Sequence, residues 1–429
     1  MPLQVIVKRT DQLSGEVKAP PSKSYTHRAI LAAALSLEES VVLNPLFSDD
    51  TYATMEACKS LGVFIQPVKN GLSIKGLKKP KAPSNPINCK LSAATIRFMT
   101  AVSSLAEGKT ILTGEEGLLK RPIGPLVEAL NQLGVHCESK NGFPPVVVYG
   151  GNPLGGQTFI VGDVSSQFIS GLLFISPLAK EDVQINLTTP LESKPYVELT
   201  LEVLKRHGIK VYVSGNHEKY IIPSGQEYKP YNHRVIGDFS SASFLMAAAA
   251  VTNSHLKIEN LDVSLTSQPD LKILNILKTM GAKIRVKRDY VEIFGNNLQG
   301  TTLDAKDNPD LVPVLVVLAC CSEGETTIKN VKRLRIKESD RLKALNVEFS
   351  KMGAKIQTVE DKLVIEGPCK LKGTTVDSHG DHRIAMACAV AGLAAEGETR
   401  ILHAECVSKS YPNFFHDLKK LGGKVSFEQ

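Results

Sequence analysis

Apolar residues along this chain fall into two alternating kinds of segment. The first is amphipathic and ends at a glycine followed at once by a short strand pattern. It occurs at Leu61-Gly62-Val63, Leu133-Gly134-Val135, His207-Gly208-Ile209, Met280-Gly281-Ala282, Met352-Gly353-Ala354 and Leu421-Gly422-Gly423. The glycines are 72, 74, 73, 72 and 69 residues apart, so one unit is used six times. A glycine just past a helix takes the left-handed conformation without the steric cost of a Cβ. The strand then turns and returns: Val63-Phe64-Ile65 and Leu72-Ser73-Ile74 flank Asn70-Gly71, a hairpin signal. Asn141-Gly142, Gly215-Asn216, Arg288-Asp289 and Glu360-Asp361 punctuate the next four copies. The sixth has no room for its returning strand after Val425-Ser426-Phe427. Leu3 to Val7 is predicted to supply it, which places both termini in the same domain.

The second kind of segment is apolar nearly all round, as in Ser243 to Val251, and is predicted to be a helix buried between layers. Such segments begin near Ser24, Ser92, Ser165, Ser240, Pro309 and Asp381, each after small, acidic or hydroxyl residues suited to a helix N-terminus. None approaches the roughly 20 apolar residues of a membrane span. Two helices and several strands per copy make the class α/β (α+β). At 429 residues the chain exceeds one hydrophobic core, so three copies per domain are expected. The predicted domains are 13–230 and 1–12 with 231–429, with a hinge at Glu227-Tyr228-Lys229-Pro230-Tyr231.

The eight cysteines are scattered or, at Cys320-Cys321, adjacent. Without paired C-x-x-C sets they read as free buried thiols, and no metal site is expected. Met1-Pro2-Leu3-Gln4-Val5 lacks a basic region leading into a secretory apolar core, so a cytoplasmic location is expected. A net charge of +7 suits nucleic acid, acidic small molecules or plain solubility. The positions of the cations narrow this, because several stand beside the repeated helix starts.

The strongest local motif is Pro20-Pro21-Ser22-Lys23-Ser24-Tyr25-Thr26-His27-Arg28, leading into an Ala-rich helix from Ala29 to Leu35. Prolines stop the preceding strand, serines offer a cap, and first-turn N–H groups offer donors to an anion. The motif lacks the glycines of a nucleotide P-loop. Comparable arrangements follow at Thr95-Ile96-Arg97, Lys120-Arg121-Pro122, Ser165-Ser166-Gln167, Lys337-Glu338-Ser339-Asp340-Arg341, Gly380-Asp381-His382-Arg383 and Ser408-Lys409-Ser410-Tyr411-Pro412.

In this order, over nearly the whole chain, these motifs resemble the enolpyruvyl transferase family, and within it the 3-phosphoshikimate 1-carboxyvinyltransferases (5-enolpyruvylshikimate-3-phosphate synthases). The resemblance implies two similar domains, each of three βαβαββ units, in an inside-out α/β barrel with the active site in an interdomain cleft. It implies transfer of the enolpyruvyl group of phosphoenolpyruvate to the 5-hydroxyl of shikimate 3-phosphate, with release of phosphate, in the shikimate pathway. It implies no cofactor, no metal, no nucleic acid, no membrane and a monomer.

Two substrates that each carry a phosphate and a carboxylate bring roughly six negative charges. Lys23, Arg28, Arg97, Arg121, Lys337, Arg341, Arg383 and Lys409 are eight matched cations, and arginine forks suit both groups. By the resemblance, Lys23, Ser24, Arg28, Ser165, Ser166, Gln167, Ser193, Asp310 and Lys337 hold shikimate 3-phosphate. Lys23, Ala93, Arg121, Gln167, Arg341, Arg383 and Lys409 hold phosphoenolpyruvate. Asp310 accepts the proton of the attacking hydroxyl, and Glu338 handles the methylene proton with Lys23 or Lys409 assisting. His27 and His382 are expected to orient or pack. Asp238, Ser240 and Ser241 are expected to cap a structural helix, and the Asp49-Asp50 pair resembles family residues near the hydroxyls, Asp49 less closely.

Two departures stand out. Leu91-Ser92-Ala93-Ala94-Thr95-Ile96-Arg97 carries Ala93 or, with a shifted register, another small residue where the family often has glycine, and the extra methyl predicts weaker inhibition by the bulkier phosphoenolpyruvate mimic glyphosate. Arg333 stands where the family often has a neutral residue. Three other readings are weighed. The sister enzyme acting on a UDP-sugar usually has a cysteine in the loop before its Arg-Pro, and Glu116 to Pro122 has none. An RNA 3′-phosphate cyclase would need stacking surface, and the chain is 6% aromatic with no Trp. A non-catalytic anion-binding protein would need the cations but has no evident use for Asp310 and Glu338 together.

Overall fold

The computed structural model describes residues 3–151, 153–264 and 267–428. The chain divides into two compact units, one of Pro21–Val235 and one of Met1–Pro20 with Ile236–Gln429. These breaks lie after Pro20 and Val235, later in each case than the sequence-based boundaries at 12/13 and 230/231. Strand pairing explains both differences. Ser14–Lys18 runs parallel to His255–Glu259 and so joins the later unit. His233–Arg234 runs parallel to Val42-Leu43 and so joins the earlier one. The proposed hinge at Glu227 to Tyr231 is likewise tied into the unit 21–235: Tyr228 is buried and donates its hydroxyl to Phe174 O at 2.7 Å.

Among the described residues the strands form six four-stranded sheets. Each has an edge strand parallel to the second, followed by two antiparallel partners. One complete copy reads Thr302–Asp304, helix Val312–Cys320, Gly324–Lys329, helix Arg341–Lys351, Lys355–Val359 and Lys362–Gly367, which is βαβαββ. In the sixth sheet Gln4–Lys8 lies antiparallel between Glu398–Leu402 and Lys424–Glu428. It fills the place of the missing returning strand, as the apolar pattern at Leu3 to Val7 predicts.

All six junction glycines have positive φ, between 79° and 102°. At every one the glycine N–H and the N–H after it bond back into the last helical turn. Gly62 and Val63 reach Lys59 O and Cys58 O, and Gly353 and Ala354 reach Ser350 O and Phe349 O. This paired pattern satisfies carbonyls that the helix end would otherwise leave without donors.

The all-round apolar helices lie innermost. Phe239–Val251, Val312–Cys320 and His382–Ala394 pack on one another in the later unit, and Ala93–Val102 packs on Ser166–Ile175 in the earlier one. From Phe239 to Ala250 every residue is buried. No helix among the described residues is long and apolar enough to cross a membrane. Burial on all faces requires that the side chains be small or apolar, as the alanines of Phe239–Val251 and the valines and leucines of Val312–Cys320 are, and polar residues concentrate at the helix starts.

Candidate active site

In the unit 21–235 the helix starts are tied to one another. Helix Lys23–Leu35 begins at Ser22, whose hydroxyl accepts from Tyr25 N. Lys23 and Ser24 therefore sit in its first turn rather than before it. Lys23 Nζ lies 2.9 Å from Asp50 Oδ2 at the start of helix Asp49–Ser60. Thr95, in the first turn of helix Ala93–Val102, donates to Asp50 O at 3.3 Å. From the same helix Arg97 donates to Ser165 Oγ at 3.1 Å and Gln167 Oε1 at 2.9 Å, and to Pro122 O at 3.4 Å beside Arg121. Arg28 donates to Ser24 O at 2.9 Å, Tyr196 O at 3.0 Å and Thr200 Oγ1 at 2.8 Å. These bonds gather Lys23, Ser24, Ala93, Arg97, Ser165, Ser166, Gln167 and the segment after Ser193 at one end of the helices. Ser193 stands just before helix Lys194–Arg206 with a left-handed φ of 56°.

Arg28 is nearly fully buried, and burial pulls its guanidinium down to about 10. Its three bonded N–H groups all meet neutral acceptors, so its charge is held in place without being cancelled there. That favours an anion nearby. Ala93 is the buried first residue of its helix, where a side chain has little room to move aside. His27 is buried, with Nδ1 2.7 Å from Thr54 Oγ1, and burial lowers it to about 3. It packs as a neutral imidazole.

Behind Tyr25 runs a chain of hydrogen bonds. Tyr25 Oη lies 2.9 Å from His233 Nδ1, His233 Nε2 lies 2.8 Å from His207 Nε2, and His207 Nδ1 lies 2.7 Å from Lys229 O. One assignment satisfies every group: Tyr25 donates to His233, His233 to His207, and His207 to the carbonyl. The assignment requires both imidazoles to be neutral. Burial lowers His207 to about 4 and His233 to about 3.

The later unit gathers its own helix starts around Arg341, which is fully buried. Arg341 Nε lies 2.7 Å from Asp381 Oδ2, one terminal nitrogen lies 2.7 Å from Asp310 Oδ1, and the other lies 2.5 Å from Glu338 Oε2. Asp310 also lies 3.3 Å from Lys337 Nζ and 3.3 Å from Arg383 Nη2. Burial raises the Asp310 carboxyl, but Arg383, Lys337 and Arg341 together outweigh it and hold the group well below the usual carboxylate range. Burial lowers Lys337 to about 8 even though Asp310 opposes it. Lys409, at the end of the short helix Ala404–Lys409, reaches to 3.5 Å from Gly380 O, beside Asp381. Arg333 turns to Lys306 O at 2.7 Å.

Three participants lie outside the predicted site set. Asp381 caps helix His382–Ala394 by accepting from Arg383 N and at the same time carries Arg341. Ser240, expected to be part of a structural cap, donates or accepts elsewhere: Asp238 is the cap, and Ser240 Oγ accepts from Arg383 Nη1. Asp270 is buried, accepts from Asn308 Nδ2 at 3.4 Å, and is raised to about 6 by burial and by Asp310. A signal for Asp270 was present, since Gln268-Pro269-Asp270-Leu271 echoes Asn308-Pro309-Asp310-Leu311.

Each unit thus carries a cluster of cations at helix starts, and the later one adds three carboxylates, Asp310, Glu338 and Asp381, on a shared guanidinium. That combination suits anion binding together with proton transfer. A family model described as EPSP synthase (3-phosphoshikimate 1-carboxyvinyltransferase) matches residues 7–418. The chain is 45% identical over 427 residues to the 3-phosphoshikimate 1-carboxyvinyltransferase of Methanocaldococcus jannaschii, covering 98% of this chain and 99% of that one. It is 47% identical over 416 residues to the enzyme of that name from Methanocella arvoryzae, covering 96% and 97%. The EPSP synthase structure from Acinetobacter baumannii superposes with a TM-score of 0.84 at 27% identity, covering 100% of both chains. With its repeated βαβαββ fold and a match along nearly its entire length, the chain belongs to the EPSP synthase (3-phosphoshikimate 1-carboxyvinyltransferase) family.

Proposed function

We propose that this protein transfers the enolpyruvyl group of phosphoenolpyruvate to the 5-hydroxyl of shikimate 3-phosphate and releases inorganic phosphate. The hydroxyl oxygen bonds to C2 of phosphoenolpyruvate while the methylene carbon takes a proton and becomes a methyl group. The tetrahedral intermediate then loses phosphate as a proton leaves that methyl, which restores the double bond. Asp310 accepts the hydroxyl proton. Glu338 gives and retakes the carbon proton, with Lys23 or Lys409 assisting.

Lys23, Ser24, Arg28, Ser165, Ser166, Gln167, Ser193, Asp310 and Lys337 bind shikimate 3-phosphate. Lys23, Ala93, Arg121, Gln167, Arg341, Arg383 and Lys409 bind phosphoenolpyruvate. The observation that carries the proton-transfer roles is the sharing of Arg341 by Asp310 and Glu338. In that state Asp310 is ionised but weakly basic. Substrate anions that draw on Lys337, Arg341 and Arg383 raise its proton affinity, since added negative charge favours the protonated form of a neighbouring carboxylate. The base therefore becomes effective when the substrates are bound.

The enzyme works in the cytoplasm as a monomer, in the supply of aromatic amino acids through chorismate. The deciding assay measures phosphate release. Release that requires both shikimate 3-phosphate and phosphoenolpyruvate supports the reading. Release with a UDP-sugar in place of shikimate 3-phosphate would move the assignment to the sister activity.

A further inference from the structure

Cys320 and Cys369 meet at the end of helix Val312–Cys320 remote from Asp310. Cys320 is that helix's last residue, and Cys369 follows strand Lys362–Gly367 by two positions. Cys369 N donates to Cys320 O at 2.7 Å, and Cys369 Sγ lies 3.2 Å from Glu366 O. The approach is held from the other side as well. A Cβ built on Gly367 would lie 2.4 Å from Ser322 O and 2.6 Å from Ala319 O, so the strand end fits against the helix end with no side chain between them. One direct backbone N–H···O=C bond thus brings the two main chains together, the close approach that a disulfide requires, with Cα atoms roughly 4.4–6.8 Å apart.

We propose that Cys369 and Cys320 form a two-thiol redox site that reacts with oxidants of the hydroperoxide class and closes to a reversible disulfide. The two sulfurs differ in the way this chemistry requires. Cys369 is half-buried and Cys320 fully buried, so an oxidant reaches Cys369 first. Hydrogen bonding from Cys320, with a further contribution from Lys355, lowers Cys369 to about 6, while the same bond and burial push Cys320 well up. The lowering favours the thiolate, the nucleophilic form, at the more accessible of the two sulfurs.

The thiolate attacks one oxygen of hydrogen peroxide. The S–O bond forms, the O–O bond breaks, hydroxide leaves, and Cys369 becomes a sulfenic acid. The Cys320 sulfur then attacks the Cys369 sulfur and releases water with its own proton, and the hydroxide takes a proton from solvent. Two thiols lose two electrons in all, and the peroxide becomes two waters. An external dithiol reverses the step by exchange. Cys321 is half-buried beside the pair and is the internal control.

The test treats the purified full-length chain with one to a few equivalents of hydrogen peroxide, blocks remaining thiols, digests with trypsin without reductant and maps the peptides by mass spectrometry. The expected product joins peptide 307–329, which carries Cys320 and Cys321, to peptide 363–370, which carries Cys369. It disappears on adding dithiothreitol, is absent in C369S and persists in C321S. In C320S, Cys369 is expected to stop at a sulfenic acid that dimedone traps. The proposal is overturned if Cys369 survives oxidant that consumes other cysteines, or if the cross-link persists in C320S and vanishes in C321S. Should C320S fail to fold, the wild-type and C321S maps decide the question.

Discussion

Asp310 and Glu338 are bound to opposite terminal nitrogens of one guanidinium, that of the buried Arg341, at 2.7 and 2.5 Å. The two carboxylates assigned to the hydroxyl and carbon protons are therefore spaced by a rigid planar fork. Removing either proton-transfer group should lower kcat without abolishing binding. D310N and E338Q are each expected to lose about 10²–10⁴-fold in phosphate release, while shikimate 3-phosphate still binds by calorimetry. A variant that keeps native turnover would remove that residue from the mechanism.

Asp381 should matter more for stability than for proton transfer. It is fully buried, carries Arg341 and caps its own helix. D381N keeps a good capping residue but leaves the Arg341 charge short of a partner. Breaking a buried ion pair typically costs about 3–5 kcal/mol, and Glu338 and Asp310 remain to offset part of it. Urea unfolding should show a loss of this order or somewhat less, and a D381N protein as stable as the parent would refute the assignment.

Ala93 offers a test of steric discrimination at a helix start. A93G removes one buried methyl, and relief of overpacking is worth about 1–3 kcal/mol. Glyphosate, measured in competition with phosphoenolpyruvate, should inhibit A93G at least about five-fold more tightly than the parent. Sub-micromolar inhibition of the unaltered chain at low phosphoenolpyruvate would contradict the reading. A cost of about 1 kcal/mol in stability is the upper expectation for the glycine, because it stands at the helix end and not in its interior.

The pair His207 and His233 predicts a pH dependence of stability. Both are depressed in the folded chain, to about 4 and about 3, from an ordinary value of 6.5. Between those values the unfolded chain binds protons that the folded chain does not. The contribution is complete above about pH 6.5 and is lost as pH falls through the folded values. For His207 alone the loss by pH 4 is roughly 3 kcal/mol. Urea midpoints taken from pH 7 to pH 5 should fall with a steeper slope in the parent than in H233Q. Equal slopes would mean that the imidazoles are not held neutral by this network.

Much of the molecule was legible from local pattern. The six glycine junctions, the polar turns, the apolar helices and the use of Gln4–Lys8 as a returning strand all follow from spacing and periodicity. These are properties of short segments, governed by backbone sterics and by one buried face at a time. The matched motifs also pointed to Lys23, Asp310, Lys337, Glu338, Arg341 and Arg383 as one chemical set, of which the last five meet around Arg341.

Other features depended on groups far apart in the chain. The contact of Asp50 with Lys23, the turn of Ser240 to Arg383, the burial of Asp270 and the approach of Cys369 to Cys320 were decided by tertiary packing. So were the breaks at Pro20 and Val235, because an edge strand belongs to whichever sheet accepts its hydrogen bonds. The sequence by itself determined the repeated unit and the residue types at its helix starts, since these answer to local conformational preference. Only the tertiary structure decided which charges share a proton or a partner, because charge pairing and desolvation are set by distance in space.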